Sequence, residues 1–285
     1  MVKNLIKICL TTAIIFMLQS CSLAGSWVYE QIDDYISDYF KDFASFSVEQ
    51  NKKIESISQD FLDWFSINQL PRVKIILEDL RKIDLRDSSG SLANAYKEGE
   101  EIFNNINNYY EKPIIDFSKG LTKKQVLQIG LHFEKLREER EERRSKEKKS
   151  YKEQLLNNFN SGFEVLGIKL RKDQLDLIES KLQNYNEIRE EWSDLQKIWV
   201  NNFLGILNTK QSEGYDARMT LYLRSLQDLG NEEFKEMVEE NETLSFEILE
   251  AVLLTLDEKQ LRSFYKSLDI YLKSIDRILA KRKVN

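Results

Sequence analysis

Apolar positions along this chain recur every three to four residues for most of its length, the period of helices that bury one face. From Trp27 to Phe46, Val28, Ile32, Tyr35, Ile36, Tyr39, Phe40, Phe43 and Phe46 share one broad sector. Glu30, Asp33, Asp34, Ser37, Asp38, Lys41 and Asp42 share the other. Such a stripe is read either as a membrane-surface helix with an aromatic face or as the first helix of a core. Surface-seeking helices carry basic polar faces, and the acidic one here favours the core. A second helix should bury Ile54, Ile57, Phe61, Trp64 and Phe65, then kink or restart at Leu70-Pro71, where the proline ring removes a donor. Val73 to Ile83 continues helically, and Asp84 to Ser91 gathers Asp, Ser and Gly as a candidate linker. A weaker helix covers Leu92 to Tyr110, and Pro113 restarts the chain.

Beyond Pro113 the pattern resumes. A long helix opens at Thr122 and runs into Arg137 to Ser150, where no residue is apolar and twelve of the fourteen are charged. Pairs such as Glu139–Arg143 and Glu142–Lys146 have i,i+4 spacing. The stretch reads as a solvated arm projecting from the body, and its mixed signs argue against a nucleic-acid-binding arm. Tyr151 to Leu166 is apolar again, with Gly162 and Gly167 marking a break. A stripe from Leu175 to Trp192 is expected to run on through Phe203. Gly214 breaks the region, Met219 to Leu229 forms a short helix, and stripes over Phe234 to Leu254 and Leu261 to Leu279 close the chain.

Four of these helices share one opening: an apolar residue, a cap position, two variable residues and glutamine. At Phe46-Ser47-Val48-Glu49-Gln50 and Leu121-Thr122-Lys123-Lys124-Gln125 this is a capping box. The Ser or Thr oxygen accepts from the backbone N–H of the glutamine, and the glutamine side chain reaches back to the cap N–H. Asp257 with Gln260 repeats it after Leu256. Leu170-Arg171-Lys172-Asp173-Gln174 keeps the spacing but puts arginine at the cap, so it is degenerate. The intervals are unequal, which excludes a solenoid of fixed period.

The first twenty residues stand apart. Lys3 and Lys7 form a positive start, Ile8 to Leu18 is free of charge, and at eleven residues that run is too short to cross a bilayer. Residues 1–20 therefore read as a signal peptide to be set aside, with 21–285 as a single domain.

Composition narrows the class. Ten glycines and two prolines in 285 residues are too few for a sandwich, a propeller or a doubly wound sheet. The expected fold is all-α: an irregular multi-helix bundle with one long charged helix. The net charge of −6 argues against broad adhesion to nucleic acid or anionic lipid.

Leu18-Gln19-Ser20-Cys21 resembles the lipobox of bacterial lipoproteins. That resemblance implies cleavage before Cys21, a diacylglycerol on its sulfur and an N-acyl chain such as palmitate on its amine. Ser22 after the cysteine implies outer-membrane sorting, facing the periplasm. Cys9 leaves with the signal and Cys21 is consumed by lipid, so no disulfide is expected. An ordinary signal peptide is the alternative reading. The early Trp27-Val28-Tyr29, the later Asp33-Asp34-Tyr35, Leu70-Pro71-Arg72 and the repeated glutamine motifs together resemble a family of proteobacterial envelope lipoproteins known only as a domain of unknown function. That family tends to have Trp-His where this chain has Trp64-Phe65, and more arginine between Trp192 and Trp199. The motifs alone also resemble small periplasmic stress proteins of the Spy and CpxP kind, which implies a helical, ATP-independent chaperone or sensor.

Candidate chemistry is sparse. His132 is the single imidazole and has no Glu at position 129, so a di-iron bundle and a zincin site are both excluded; it reads as a structural or surface histidine. No Gly-x-Ser-x-Gly and no glycine-rich phosphate loop occurs. No metal, catalytic residue or cofactor beyond the acyl chains on Cys21 is expected. A cell-wall glycan hydrolase built on two carboxylates is the enzymatic alternative, and it requires a buried pair with raised pKa values. The leading expectation is a non-enzymatic protein-binding or chaperone-like role among envelope proteins, with a scaffold lipoprotein using the 137–150 arm as the second.

Overall fold

The computed structural model describes residues 29, 31–83, 89–147, 149–225 and 228–282. Residues 1–20, with Leu18, Gln19 and Ser20, and Cys21, the expected acyl acceptor, lie outside them, as do 84–88 of the candidate linker. Among the described residues there are eleven helices and no strand. In chain order they are α1 (Ile32–Lys41), α2 (Val48–Asn68), α3 (Leu70–Arg81), α4 (Ser89–Ser118), α5 (Lys123–Glu147), α6 (Tyr151–Val165), α7 (Lys172–Leu182), α8 (Arg189–Leu207), α9 (Tyr215–Ser225), α10 (Glu232–Leu253) and α11 (Glu258–Arg282).

The helices form where caps and stripes coincide. In α2 the buried face is Ile54, Phe61, Leu62 and Phe65, with the small Ser58 and Ser66 between them. Leu70-Pro71 starts a new helix one residue after α2 ends, with the proline in the first turn, where its missing N–H is not needed. Arg72 then reaches α4, bonding Glu98 at 2.7 Å and Glu101 at 2.6 Å.

Pro113 departs from expectation: it does not restart the chain but sits inside α4. An interior proline costs about 3 kcal/mol or more. Packing on both sides of it offsets that cost. Tyr109 stacks on Trp64 at 4.6 Å and Tyr110 meets Phe61 at 4.8 Å before it, and Ile115 is buried after it.

The charged arm also differs. Its helix ends at Glu147, and Ser150 opens α6 with a capping box to Glu153 that follows the same spacing rule. Its inner face leans on α8, where Arg140 donates to Gln196 at 2.7 Å, so it does not project freely. The stripe expected to run from Leu175 past Trp192 is broken at 183–188 into α7 and α8, and the short helix begins at Tyr215.

α6 ends in a Schellman turn. Gly167 has φ +76°, Ile168 N–H bonds the Phe163 carbonyl at 2.8 Å, and both apolar partners are buried. A Cβ on Gly167 would lie 2.9 Å from the Ser263 carbonyl oxygen, so glycine also permits the close approach to α11.

Buried apolar side chains gather in three clusters. The largest joins α2, α3, α4, α6, α7, α10 and α11 through residues such as Phe65, Leu70, Ile106, Ile178, Val252, Leu268 and Ile275. A second holds Phe43, Ile115, Leu121, Val126, Ile129, Leu207, Tyr215 and Met219. A third is Ile188, Trp192 and Phe234.

Candidate functional site

The four glutamine motifs, far apart in sequence, meet in two pairs. At the first corner Gln50 and Gln125 face each other. Gln125 Nε2 donates to Gln50 Oε1 at 2.6 Å, and Gln50 Nε2 donates to Gln125 Oε1 at 3.3 Å. Each Oε1 also accepts from its own cap: Ser47 N–H at 2.9 Å and Thr122 N–H at 2.9 Å. Each Nε2 also donates to the partner corner's loop, Gln50 to the Gly120 carbonyl and Gln125 to the Ser45 carbonyl, both at 3.1 Å. Both amides thereby use two donors and two acceptor sites, the whole capacity of the group. The cap oxygens complete the boxes, with Gln50 N–H on Ser47 Oγ and Gln125 N–H on Thr122 Oγ1, both at 3.2 Å.

The second corner repeats the plan with Gln174 and Gln260. Gln260 Nε2 donates to Gln174 Oε1 at 2.8 Å and to the Lys169 carbonyl at 2.8 Å. Gln174 Nε2 donates to Gln260 Oε1 at 3.3 Å and to Thr255 Oγ1 at 3.0 Å. Asp257 caps with its carboxylate, accepting the Gln260 N–H at 2.8 Å. Arg171 has no acceptor to offer as a cap. Its N–H still bonds Gln174 Oε1 at 2.9 Å, and its guanidinium crosses the corner instead. That guanidinium donates to Gln260 Oε1 at 2.6 Å, Asp257 at 3.1 Å, the Thr255 carbonyl at 3.1 Å and Asp173 at 3.0 Å. The motif that looks degenerate in sequence is therefore the one with the most cross-corner bonds.

This arrangement explains the residue type. Glutamic acid would serve a single capping box equally well. Two facing carboxylates, however, would repel and could not donate to the opposing loop, whereas an amide both accepts and donates. The corners thus fasten α2 to α5 and α7 to α11, and their role is architectural.

The electrostatics agree with that role. A backbone N–H and Arg171 hold Asp257 below the usual carboxylate range, and Arg171 does the same for Asp173. Backbone and Ser47 hydrogen bonds lower Glu49, ion pairs to Lys112 and Lys119 lower Asp116, and the Ser150 N–H lowers Glu153. Among the described residues every carboxylate with a resolved shift moves down. His132 packs its ring 4.3 Å from Phe43, and no group of three metal-ligating side chains occurs among the described residues.

α1 departs most from its sequence pattern. Its buried residue is Ser37, 2% exposed, while Tyr35 and Tyr39 are 68% and 53% exposed. A small residue lets α1 lie close along α2, and Ile32 and Ile36 touch the main core. The tyrosines are left on the outer edge, where Tyr39 meets Phe43 edge to face at 5.4 Å. Leu127 and Leu131, one turn apart on α5, are also more than half exposed. No helix among the described residues is long and apolar enough to cross a membrane.

A family described as a family of unknown function, DUF6279, matches residues 42–235, about two thirds of the chain. This protein belongs to that family. The match contains the whole first corner and the Gln174 side of the second, while Asp257 and Gln260 lie beyond it. No curated protein and no solved structure matches the chain.

Proposed function

We propose that this protein is a lipid-anchored component of the bacterial envelope that binds other polypeptides on an apolar flank, without ATP or a cofactor. The anchor is the pair of acyl attachments on Cys21, and the body faces the periplasm from the outer membrane. The observation that carries the binding reading is the exposed apolar edge of α1, Tyr35 and Tyr39, with Leu127 and Leu131 outward on α5. Exposed aromatic and aliphatic side chains held on rigid helices offer area for an unfolded or partner chain at small entropic cost. The first corner holds α5 against α2, beside which α1 lies.

Two measurements test this. An aggregation assay with a denatured client, run without ATP, should show protection. Tyr35→Ser with Tyr39→Ser should remove most of it at unchanged helicity, and no protection by the unaltered chain at several-fold excess would refute the binding role. For the anchor, Cys21→Ala should move the protein from the membrane fraction to the soluble periplasm; retention in the membrane would refute lipidation.

A second reading, a scaffold that organises envelope components, draws on the arm. Glu138, Glu142 and Arg143 are exposed while Arg140 ties the inner face to α8. Neutralising those three should abolish capture of envelope partners if the scaffold reading holds, and leave client protection intact.

A further inference from the structure

At the far end of the arm, where α5, α6 and α8 meet, positive charge outnumbers negative among the described side chains. Arg140 and Arg144 are one turn apart on the face of α5 that lies against α8. Arg140 spends its bond on a neutral group, Gln196 Oε1. Arg189, the first residue of α8, sets its guanidinium 4.6 Å over the ring of Tyr151 and bonds Glu187 and Gln154. Arg144 is half-buried and makes neither ion pair nor hydrogen bond with a described residue. Glu141, the carboxylate on its own helix within reach, is taken by Arg137 at 2.9 Å. Burial, then Arg140 and Arg189, hold Arg144 below the ordinary arginine value, the signature of a cation surrounded by its own sign. Tyr151 lies in the same cluster, 6% exposed, and its hydroxyl has no partner although Arg189, Arg144 and Glu187 are all within electrostatic reach.

A half-buried cation beside two others of its own sign is ordinarily paired. Among the described side chains, three guanidiniums from two helices are answered by one carboxylate beside an unused hydroxyl, a site short of an anion. We infer that Arg140, Arg144 and Arg189, with the Tyr151 hydroxyl as a further donor, bind a phosphate oxyanion, either free or as a lipid headgroup. Guanidinium forks match tetrahedral oxyanions in geometry as well as charge. The inference does not depend on whether Cys21 is acylated.

The test uses the full chain, titrated in non-ionic detergent with inorganic phosphate at constant ionic strength and, separately, after detergent removal, with phosphatidylcholine vesicles with and without phosphatidylglycerol. Saturable binding should weaken at least about tenfold in Arg144→Gln and in Arg140→Gln, the cost of losing one charge-assisted contact. It should change less than about twofold in Arg81→Gln, an equal loss of charge from a residue paired with Asp269 on other helices. Phosphate binding that vesicles do not displace assigns a soluble anion; binding confined to phosphatidylglycerol vesicles assigns a headgroup. Without phosphate, Arg144→Gln should raise Tm, because it removes an uncompensated charge. Absence of saturable binding in both arms would overturn the site. So would equal losses in the Arg144 and Arg81 variants, or a lower Tm for phosphate-free Arg144→Gln.

Discussion

The two glutamine corners solve one problem with different chemistry. At the first, Ser47 and Thr122 cap with neutral hydroxyls, and Gln50 is only half-buried. At the second, Gln174 is 0% exposed, Asp257 caps with a charge and Arg171 spans the pair. The first corner can therefore borrow water when a bond is lost. The second is drier and depends on complete pairing. Where glutamine sits matters less than what surrounds it, because an unsatisfied buried amide costs more than the bond it loses.

The largest expected effect follows from that contrast. Gln174→Ala strips partners from Gln260, the Arg171 N–H and Thr255 at a site closed to water, and should cost about 2–4 kcal/mol. Gln50→Ala should cost about 1 kcal/mol, since solvent can serve the freed groups. Urea unfolding of the two variants measures the difference, and equal losses would show that the corners are equally dry. A second experiment exchanges the amide for a carboxylate at two equally buried positions. Gln125→Glu loses its donor to the Ser45 carbonyl and gains no cation. Gln260→Glu loses the equivalent bond to Lys169 but sits 2.6 Å from the Arg171 guanidinium. The first change should be more destabilising by about 1–2 kcal/mol. If Gln260→Glu is the worse, Arg171 does not bridge the corner in solution.

The smallest effect is acid dependence. Asp257 and Asp173 have folded pKa values held below their unfolded ones, so their contribution is full at neutral pH and is lost as pH falls through the depressed carboxylate range. Asp257→Asn, which keeps a capping oxygen, should flatten that acid limb and remove part of the salt sensitivity of unfolding. Glu49→Gln at the first corner should flatten the limb less and leave salt sensitivity unchanged, because hydrogen bonds lower that group and no cation does. An unaltered acid limb in Asp257→Asn would remove the electrostatic distinction between the corners.

Local rules make much of this legible in the chain itself. The helix starts at Ser47, Thr122 and Asp257 follow from spacing alone, because a capping box is closed within four residues. The new start at Leu70-Pro71 follows from proline's fixed φ and missing donor. The fifth box at Ser150 and Glu153 was equally readable, since it obeys the same rule inside a run whose charge draws attention away from it.

Three features required the tertiary structure. Spacing marks each glutamine as a cap, but which glutamines pair depends on how the helices stack, and nothing within one motif encodes its partner. Arg171 reads as a failed cap because its acceptors, Gln260 and Asp257, are more than eighty residues away. The α1 stripe split for a similar reason: periodicity says that one face is apolar, whereas burial is decided by how close the neighbouring helix comes, so Ile32 and Ile36 reach the core and Ser37 is buried while Tyr35 and Tyr39 stay outside. Sequence determined where helices begin and what class of fold they build, because those choices rest on contacts within a turn. Packing decided which polar groups meet and which apolar ones stay in water, because those choices rest on residues the chain brings together only once it is folded.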